Sequence, residues 1–312
     1  KPMIAYVVER AKELPHSKII VVVGFGKTKV EEYLKGKGVS FCVQTEQKGT
    51  AHALLSASKL LTKKDILVLY GDVPIIENST LVDFIEFYNQ HREITFMTTY
   101  LDNPAGYGRV VMEKDNIREI IEDADATPEE KRIREINTGI CIIPGSRISL
   151  LNEIKADNKK GEFYLTDICK VAKNKGFAIK GYHCSKSSEV LGINGKTELL
   201  EANITMRDRI LDKHMKNGVT FLGKNIYIDN DVTIEKDTVI FPNSYITGKT
   251  TIGEDVVIGP NTIIRNSTIS DDVLIDGFVV IEGAKINKGT IVGPFKHIKP
   301  TKTIKNARTG KS

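Results

Sequence analysis

YIDNDVTIEKDTVIFPNSYITGKTTIGEDVVIGPNTII, residues 227–264, carries an isoleucine at 228, 234, 240, 246, 252, 258 and 264, every sixth position without exception. The phase then slips by one residue to Ile269, Ile275 and Ile281, and again to Ile286, Val292, Ile298 and Ile304. An amphipathic helix needs apolar residues three and four apart, and a half-buried strand needs every second one. A six-residue period fits neither. It fits a parallel β-helix of short flat sides, in which each isoleucine stacks on its counterpart in the next coil. Gly253, Gly259 and Gly293 directly follow column positions, where the chain would turn tightly. A solenoid is therefore predicted over residues 218–312.

Upstream the pattern changes. Residues 197–217 form one polar helical stretch, with Leu200, Ile204, Ile210 and Leu211 on or near one face, ended by Gly218. This reads as a linker. Residues 1–196 alternate in the α/β manner. Helices are predicted over 2–14, 50–61 and 79–91 with a short one after residue 23, and apolar strands over 19–23, 39–44, 66–70 and 94–101. Such alternation predicts a mostly parallel sheet covered on both faces. Ligands of these sheets collect beyond the carboxyl ends of the strands, where Gly71 and Asp72 fall.

With 312 residues, two domains can each bury a core. No apolar run approaches the ~18 residues of a membrane span, and the charged N-terminal stretch does not have the form of a signal peptide. A cytoplasmic protein without a membrane partner is expected. Cys42, Cys141, Cys169 and Cys184 form no C-x-x-C pair, and the six histidines show no metal-ligand spacing, so reduced core thiols are expected. The net charge is +5, and after Glu282 only basic charges follow, among them Lys285, Lys288, Lys296, Lys299, Lys302, Lys305, Arg308 and Lys311. The stretch suits a solvated terminus better than a nucleic-acid arm, because Phe295 is its one ring for stacking. No nucleic-acid partner is expected.

Several segments could carry chemistry, each with an ordinary structural alternative. In QTEQKGTAHA, residues 44–53, Gly49 and Thr50 would offer bare N–H groups at a helix start and Gln44 a donor and an acceptor to a base edge. The same residues make a turn with Thr50 as N-cap. Tyr70-Gly71-Asp72 puts a carboxylate just past a buried strand, a place for magnesium or for a turn cap before Pro74. Gly106-Tyr107-Gly108-Arg109 permits close approach to a ligand or a plain hairpin. Asn137 and Thr138 lie inside an apolar run and need partners, a ligand hydroxyl or neighbouring backbone. Glu122 could accept sugar hydroxyls or face water.

Taken in order, QTEQKGTAHA, LVLYGDVPII, NPAGYGRVV, IREIIEDADAT, REINTGI, GEFYLTDI and SEVLGING resemble the uridyltransferase half of the bifunctional N-acetylglucosamine-1-phosphate uridyltransferase / glucosamine-1-phosphate acetyltransferase family. The hexapeptide repeats behind a helical linker resemble its second half. The resemblance implies a Rossmann-like, GT-A-like nucleotidyltransferase domain followed by a left-handed β-helix. It implies attack of N-acetylglucosamine 1-phosphate on the α-phosphate of UTP, giving UDP-N-acetylglucosamine and pyrophosphate. Asp72 and Asn194 would hold Mg2+. Gln44, Gly49 and Thr50 would read uracil. Tyr70, Gly71, Gly108, Glu122 and Asn137 would line the sugar site, supported by Tyr164 and Thr166. Solenoids of this kind associate as trimers, so a homotrimer is expected.

The sequence departs from the family pattern in three places. The family opens with a strand and a glycine-rich phosphate loop, whereas this sequence starts at Lys1-Pro2-Met3 on the following helix. That implies a fragment, or a chain that cannot turn over as it stands. Ala124 stands where a lysine is common, which leaves room for another sugar or nucleotide. The acetyltransferase groups belong to later coils, with Lys299 near the place of the first expected arginine, so acetyl transfer is not expected. A chain that only binds nucleotide sugars or assembles is the remaining alternative.

Overall fold

The computed structural model describes residues 1–15, 18–61 and 64–300. Ile304, Lys302, Lys305, Arg308 and Lys311 lie outside the described residues. Contacts divide the chain into two units, one up to Leu199 and the other from Leu200 onward. In the first, α1 (Met3–Glu13), β1 (Ile20–Val23), α2 (Lys27–Leu34), β2 (Ser40–Val43), α3 (Thr50–Ser56), β3 (Ile66–Val68), α4 (Asn78–His91) and β4 (Ile94–Tyr100) follow the predicted alternation. Then come β5 (Arg109–Glu113), β6 (Asn116–Ile121), β7 (Glu135–Ile143), α5 (Ile168–Asn174), β8 (Ile179–His183) and α6 (Ser187–Val190).

Two expected elements are shorter than predicted. The helix over 50–61 breaks at Ala57, and a 3-10 turn covers Ser58–Leu60. Ser56 Oγ donates to His52 O at 2.8 Å, a back-bond that weakens a helix end. β3 stops at Val68, which releases Leu69 and Tyr70 from the ladder.

The expectation of a mostly parallel sheet is corrected. The main sheet has the order β3-β7-β4-β8-β6-β5, and β4–β8 is its one parallel pair among the described residues. β7 inserts between β3 and β4, antiparallel to both. Apolar runs report burial on two faces, which β4 has along six of its seven residues. They do not report direction. β1 and β2 pair in parallel as a separate two-stranded sheet. Each of β1 and β3 thus keeps one edge without a partner strand among the described residues. Residues of both strands line an apolar cleft of about 1140 Å3, together with Ile4, Val8 and Leu54.

In the second unit the chain continues along α7 (Lys196–Lys216), which ends at Gly218 with φ 89°. Leu211 is buried and Ile210 packs beside it, but Leu200 and Ile204 are exposed, contrary to a continuous apolar face. Two- and three-residue strands then wind into three parallel sheets. Ile228, Ile246, Ile264, Ile281 and Ile298 stack on one side. Ile234, Ile252, Ile269 and Ile286 stack on the second. Ile240, Ile258, Ile275 and Val292 stack on the third. From Ile228 to Val292 the column residues are buried, each contributing about 1.5–3 kcal/mol of apolar burial.

Both phase slips fall at one corner, between the first and second sides, where Ile264 leads to Ile269 and Ile281 to Ile286 in five steps instead of six. The prism loses a corner residue and keeps its register. Of the glycines following column positions, Gly253 and Gly259 act through close approach rather than through φ. A Cβ on Gly253 would stand 2.7 Å from Asp271 N, and one on Gly259 2.6 Å from Gly277 N. Gly293 faces open space. Asp237, Asn243, Asp255, Asn261, Asn266 and Asp272 take the left-handed positions at the corners.

All four cysteines are free thiols, three of them buried. Among the described residues no helix is long and apolar enough to cross a membrane.

Candidate functional site

Beyond β3 the chain turns through Tyr70-Gly71-Asp72, with Val73 N donating to Tyr70 O at 3.2 Å. Gly71 lies under α1, where a Cβ would meet Ile4 Cδ1 at 2.9 Å. Ile193 N donates to Asp72 O at 2.9 Å, tying the turn to Gly192-Ile193-Asn194. Asp72 Oδ2 and Asn194 Nδ2 flank Gly192 together, 3.5 and 3.7 Å from the place of its missing Cβ. Burial pushes the Asp72 carboxyl above its ordinary range, and its own backbone N–H offsets part of this. No cationic side chain is among the causes. The Tyr107 phenol is raised by burial and then by the charges of Glu198 and Asp72.

Among the described residues no three His, Cys, Asp or Glu side chains cluster to hold a metal. One half-buried carboxylate and one amide fit an ion that draws its remaining oxygens from water and phosphate, as magnesium does. They would not fit zinc or calcium, which need fuller protein shells.

The segment after β2 is built differently from its reading as a free base-reading edge. Gln44 Nε2 donates to Gly49 O at 3.1 Å and lies 3.1 Å from His52 Nδ1, so both amide hydrogens can be used inside the protein. Gly49 is the N-cap of α3, with φ 103°. Thr50 is not the cap; its Oγ1 accepts Leu165 N at 2.9 Å. Phe163 clamps the same turn, giving its N–H to Lys48 O and accepting Ala51 N. GEFYLTDI and QTEQKGTAHA are thus one local structure.

The proposed sugar residues gather where β5, β6 and β7 meet. Asn137 N donates to Gly108 O at 2.9 Å. Glu122 Oε2 stands 3.5 Å from where a Gly108 Cβ would be, and Glu122 Oε1 accepts Thr166 Oγ1 at 2.8 Å. Burial raises the Glu122 carboxyl, against the lowering effect of the Thr166 hydroxyl. Glu122, Tyr164 and Thr166 line a pocket of about 360 Å3 with Glu119, Asp125 and Lys159. The Tyr164 phenol is pushed up to about 12, first by burial and then by surrounding carboxylates. The polar pair inside β7 is satisfied by backbone: Asn137 Oδ1 accepts Gly139 N at 3.1 Å, and Thr138 Oγ1 donates to Met97 O at 2.9 Å.

Tyr70 links these parts. A Cβ on Gly139 would stand 2.8 Å from its ring. Its phenol is raised by burial, with contributions from Glu122 and Asp72 and an opposing hydrogen bond from Thr50. One side chain therefore senses residues of all three groups. Two contributors were not legible in the motifs. Lys159 Nζ donates to Ala124 O at 2.6 Å, which brings an ammonium to a position whose own side chain is a methyl. Arg109 is buried behind Gly108. Only the fold brings either into place.

Residues 1–181 match the nucleotidyl transferase family, and residues 231–266 match the bacterial transferase hexapeptide (six repeats). The second unit is accordingly a left-handed parallel β-helix of hexapeptide repeats. The bifunctional protein GlmU of Caldanaerobacter subterraneus subsp. tengcongensis is 40% identical over 247 residues, 78% of this chain and 54% of that protein. GlmU of Listeria welshimeri is 42% identical over 248 residues, with the same coverage. The chain spans about half the length of these curated relatives. A crystal structure of apo UDP-glucose pyrophosphorylase is similar with a TM-score of 0.52 and 20% identity, covering 69% of this chain and 88% of that one. At that identity the likeness speaks to the fold alone.

Proposed function

The chain belongs to the nucleotidyl transferase family, and from that premise we propose that it makes UDP-N-acetylglucosamine from UTP and N-acetylglucosamine 1-phosphate. A phosphate oxygen of the sugar phosphate attacks the α-phosphorus in line, and the bond to the bridging oxygen breaks as pyrophosphate leaves. The observation that carries this reading is Asp72, a half-buried carboxylate just past β3 whose pKa is raised by burial, with Asn194 beside it across Gly192. Magnesium held by the two would supply charge neutralisation between the two phosphate groups. Gly49, Thr50 and Gln44 would bind the base, the last through its carbonyl oxygen. Gly108, Glu122, Asn137, Tyr164 and Thr166 would hold the sugar, with Tyr70 and Gly71 between the two subsites. Lys159 would stand near enough to the Glu122 pocket to meet a phosphate. The work would be done in the cytoplasm, where free nucleotide and sugar phosphate are found.

The test is pyrophosphate release with UTP and a panel of sugar phosphates, beside calorimetry with UDP-N-acetylglucosamine with and without magnesium. Metal-dependent binding is expected to vanish in Asp72→Asn. Exclusive use of another hexose would select a different member of the family. No heat at millimolar ligand would leave a chain that serves assembly alone.

We further propose that the second unit forms a homotrimer. Outward positions of its third side are Thr220, Val239, Val257, Leu274 and Ile291; its first side carries one outward column of Tyr227, Tyr245, Ile263, Val280 and His297 beside a polar one of Thr247, Arg265 and Glu282. The second side presents Thr233, Thr251, Thr268 and Lys285. Phe278 and Phe295 stack at 5.3 Å on the corner joining the third side to the first. Ile291 is 71% exposed and Phe295 78%, so one wedge of the prism holds apolar surface that a neighbour would cover.

A further inference from the structure

We propose that Arg109 is the positioning residue of the sugar subsite, a strut that keeps the wall carrying Gly108 at a set distance from the wall carrying Glu122. The proposal rests on the reading of those two residues as sugar-binding. Arg109 opens β5 and pairs with Ile121 of β6 and with Ile136 of β7; no other residue of β5 pairs with both. It therefore occupies the branch point of the three strands. Its chain neighbour Gly108 accepts Asn137 N, and its cross-strand partner Ile121 precedes Glu122.

The side chain completes the strut. It is 2% exposed although charged. Nη2 donates to Asp123 Oδ1 at 2.8 Å, on the residue after Glu122. Nη1 donates to Tyr107 O, on the residue before Gly108. One rigid guanidinium plane is thus bonded to the segments on either side of the subsite. A lysine could reach one partner but not hold both at fixed spacing. Its Nε N–H is buried and has no acceptor among the described residues. Burying a guanidinium with a donor unmet costs stability, and an apolar side chain would pack this junction more cheaply. The retained charge is explained by the geometry it imposes.

The experiment compares Arg109→Lys, Arg109→Met and Asp123→Asn with the unaltered chain, using calorimetry with UMP, which fills the base subsite alone, and UDP-N-acetylglucosamine with magnesium, which fills both. Arg109→Met is expected to weaken nucleotide-sugar binding about tenfold, roughly 1.4 kcal/mol, and UMP binding less than about twofold. Arg109→Lys should recover part of the loss, and Asp123→Asn should lose about threefold. A purely packing role would lower the melting temperature and weaken both ligands alike, and that outcome overturns the proposal. So does nucleotide-sugar affinity unchanged in the variants. If Arg109→Met does not fold, Asp123→Asn, whose side chain is one-third exposed, decides on the same two ligands. Failure of the unaltered chain to bind UDP-N-acetylglucosamine sinks the functional reading itself and removes what the strut would serve, an outcome seen before any variant is made.

Discussion

Gly49 and Phe163 touch backbone to backbone: a Cβ on Gly49 would stand 2.6 Å from Phe163 O and 2.9 Å from Phe163 N. The contact closes the 44–53 turn onto the segment that supplies Tyr164 and Thr166. Gly49→Ala meets this wall and also a φ of 103°. It should cost about 2 kcal/mol or more in urea unfolding and weaken UMP binding. Gly36→Ala, with φ 74° and open space around it, reports a left-handed backbone penalty without a contact, about 1 kcal/mol. A loss for Gly49→Ala no larger than that for Gly36→Ala would mean that neither the Phe163 contact nor the extended glycine-only backbone at Gly49 (φ 103°, ψ 177°) adds a penalty.

Asp72 and Glu122 both have raised carboxyl pKa values through burial. The folded chain then keeps protons that the unfolded chain releases, so stability falls as pH climbs from the ordinary carboxylate values of 3.8 and 4.5 through the raised ones. Asp72→Asn and Glu122→Gln should each raise the melting temperature of the ligand-free chain at pH 7 by a few degrees, roughly. The gain should disappear at acidic pH, where both carboxyls are protonated in either state. Adding magnesium should stabilise the unaltered chain and not Asp72→Asn; a shift in both would move the ion elsewhere.

Ile258 is fully buried in the middle of its stack, between Ile240 and Ile275. Ile258→Ala should cost about 2–5 kcal/mol, and the loss should appear in the melting of the solenoid. Ile291→Ala, on an outward position, should leave monomer stability within about 0.5 kcal/mol.

Phe278 and Phe295 hold left-handed backbone, with φ 61° and 57°, in the corner column that Asn261 and Asn243 occupy one and two coils before Phe278. Asparagine relieves a strain of about 1–2 kcal/mol, while the lost ring stack offsets about 0.5–1.5 kcal/mol. Phe278→Asn with Phe295→Asn should therefore leave the monomer almost as stable as before. If the apolar wedge is the trimer contact, sedimentation should show weaker self-association. Unchanged association would place that contact on another side.

The solenoid was legible because each isoleucine repeats one environment, so period alone specifies it. The alternation of residues 1–100 was legible for a similar reason, as apolar runs of strand length rarely mean anything else beside amphipathic helices. Strand direction was not, because burial on two faces looks the same for β7 running either way. Gly49 was noticed as a turn residue, but its need for the Phe163 backbone 114 positions away appears only in the fold. Arg109 was read as part of a glycine-rich turn; nothing in Gly-Tyr-Gly-Arg announces a buried cation bonded to a carboxylate 14 residues on.

β1 and β3 each leave a row of amide and carbonyl groups without a strand partner, and both border the same apolar cleft. Among the described residues no ladder spans the gap, and β1 and β2 meet the rest of their unit through side-chain packing and polar contacts such as Cys42 Sγ donating to Ser56 O at 2.9 Å. A two-stranded sheet with one bare edge on β1 has fewer ladder bonds to break than β4, which is paired on both sides, so hydrogen exchange should run faster in β1 than in β4.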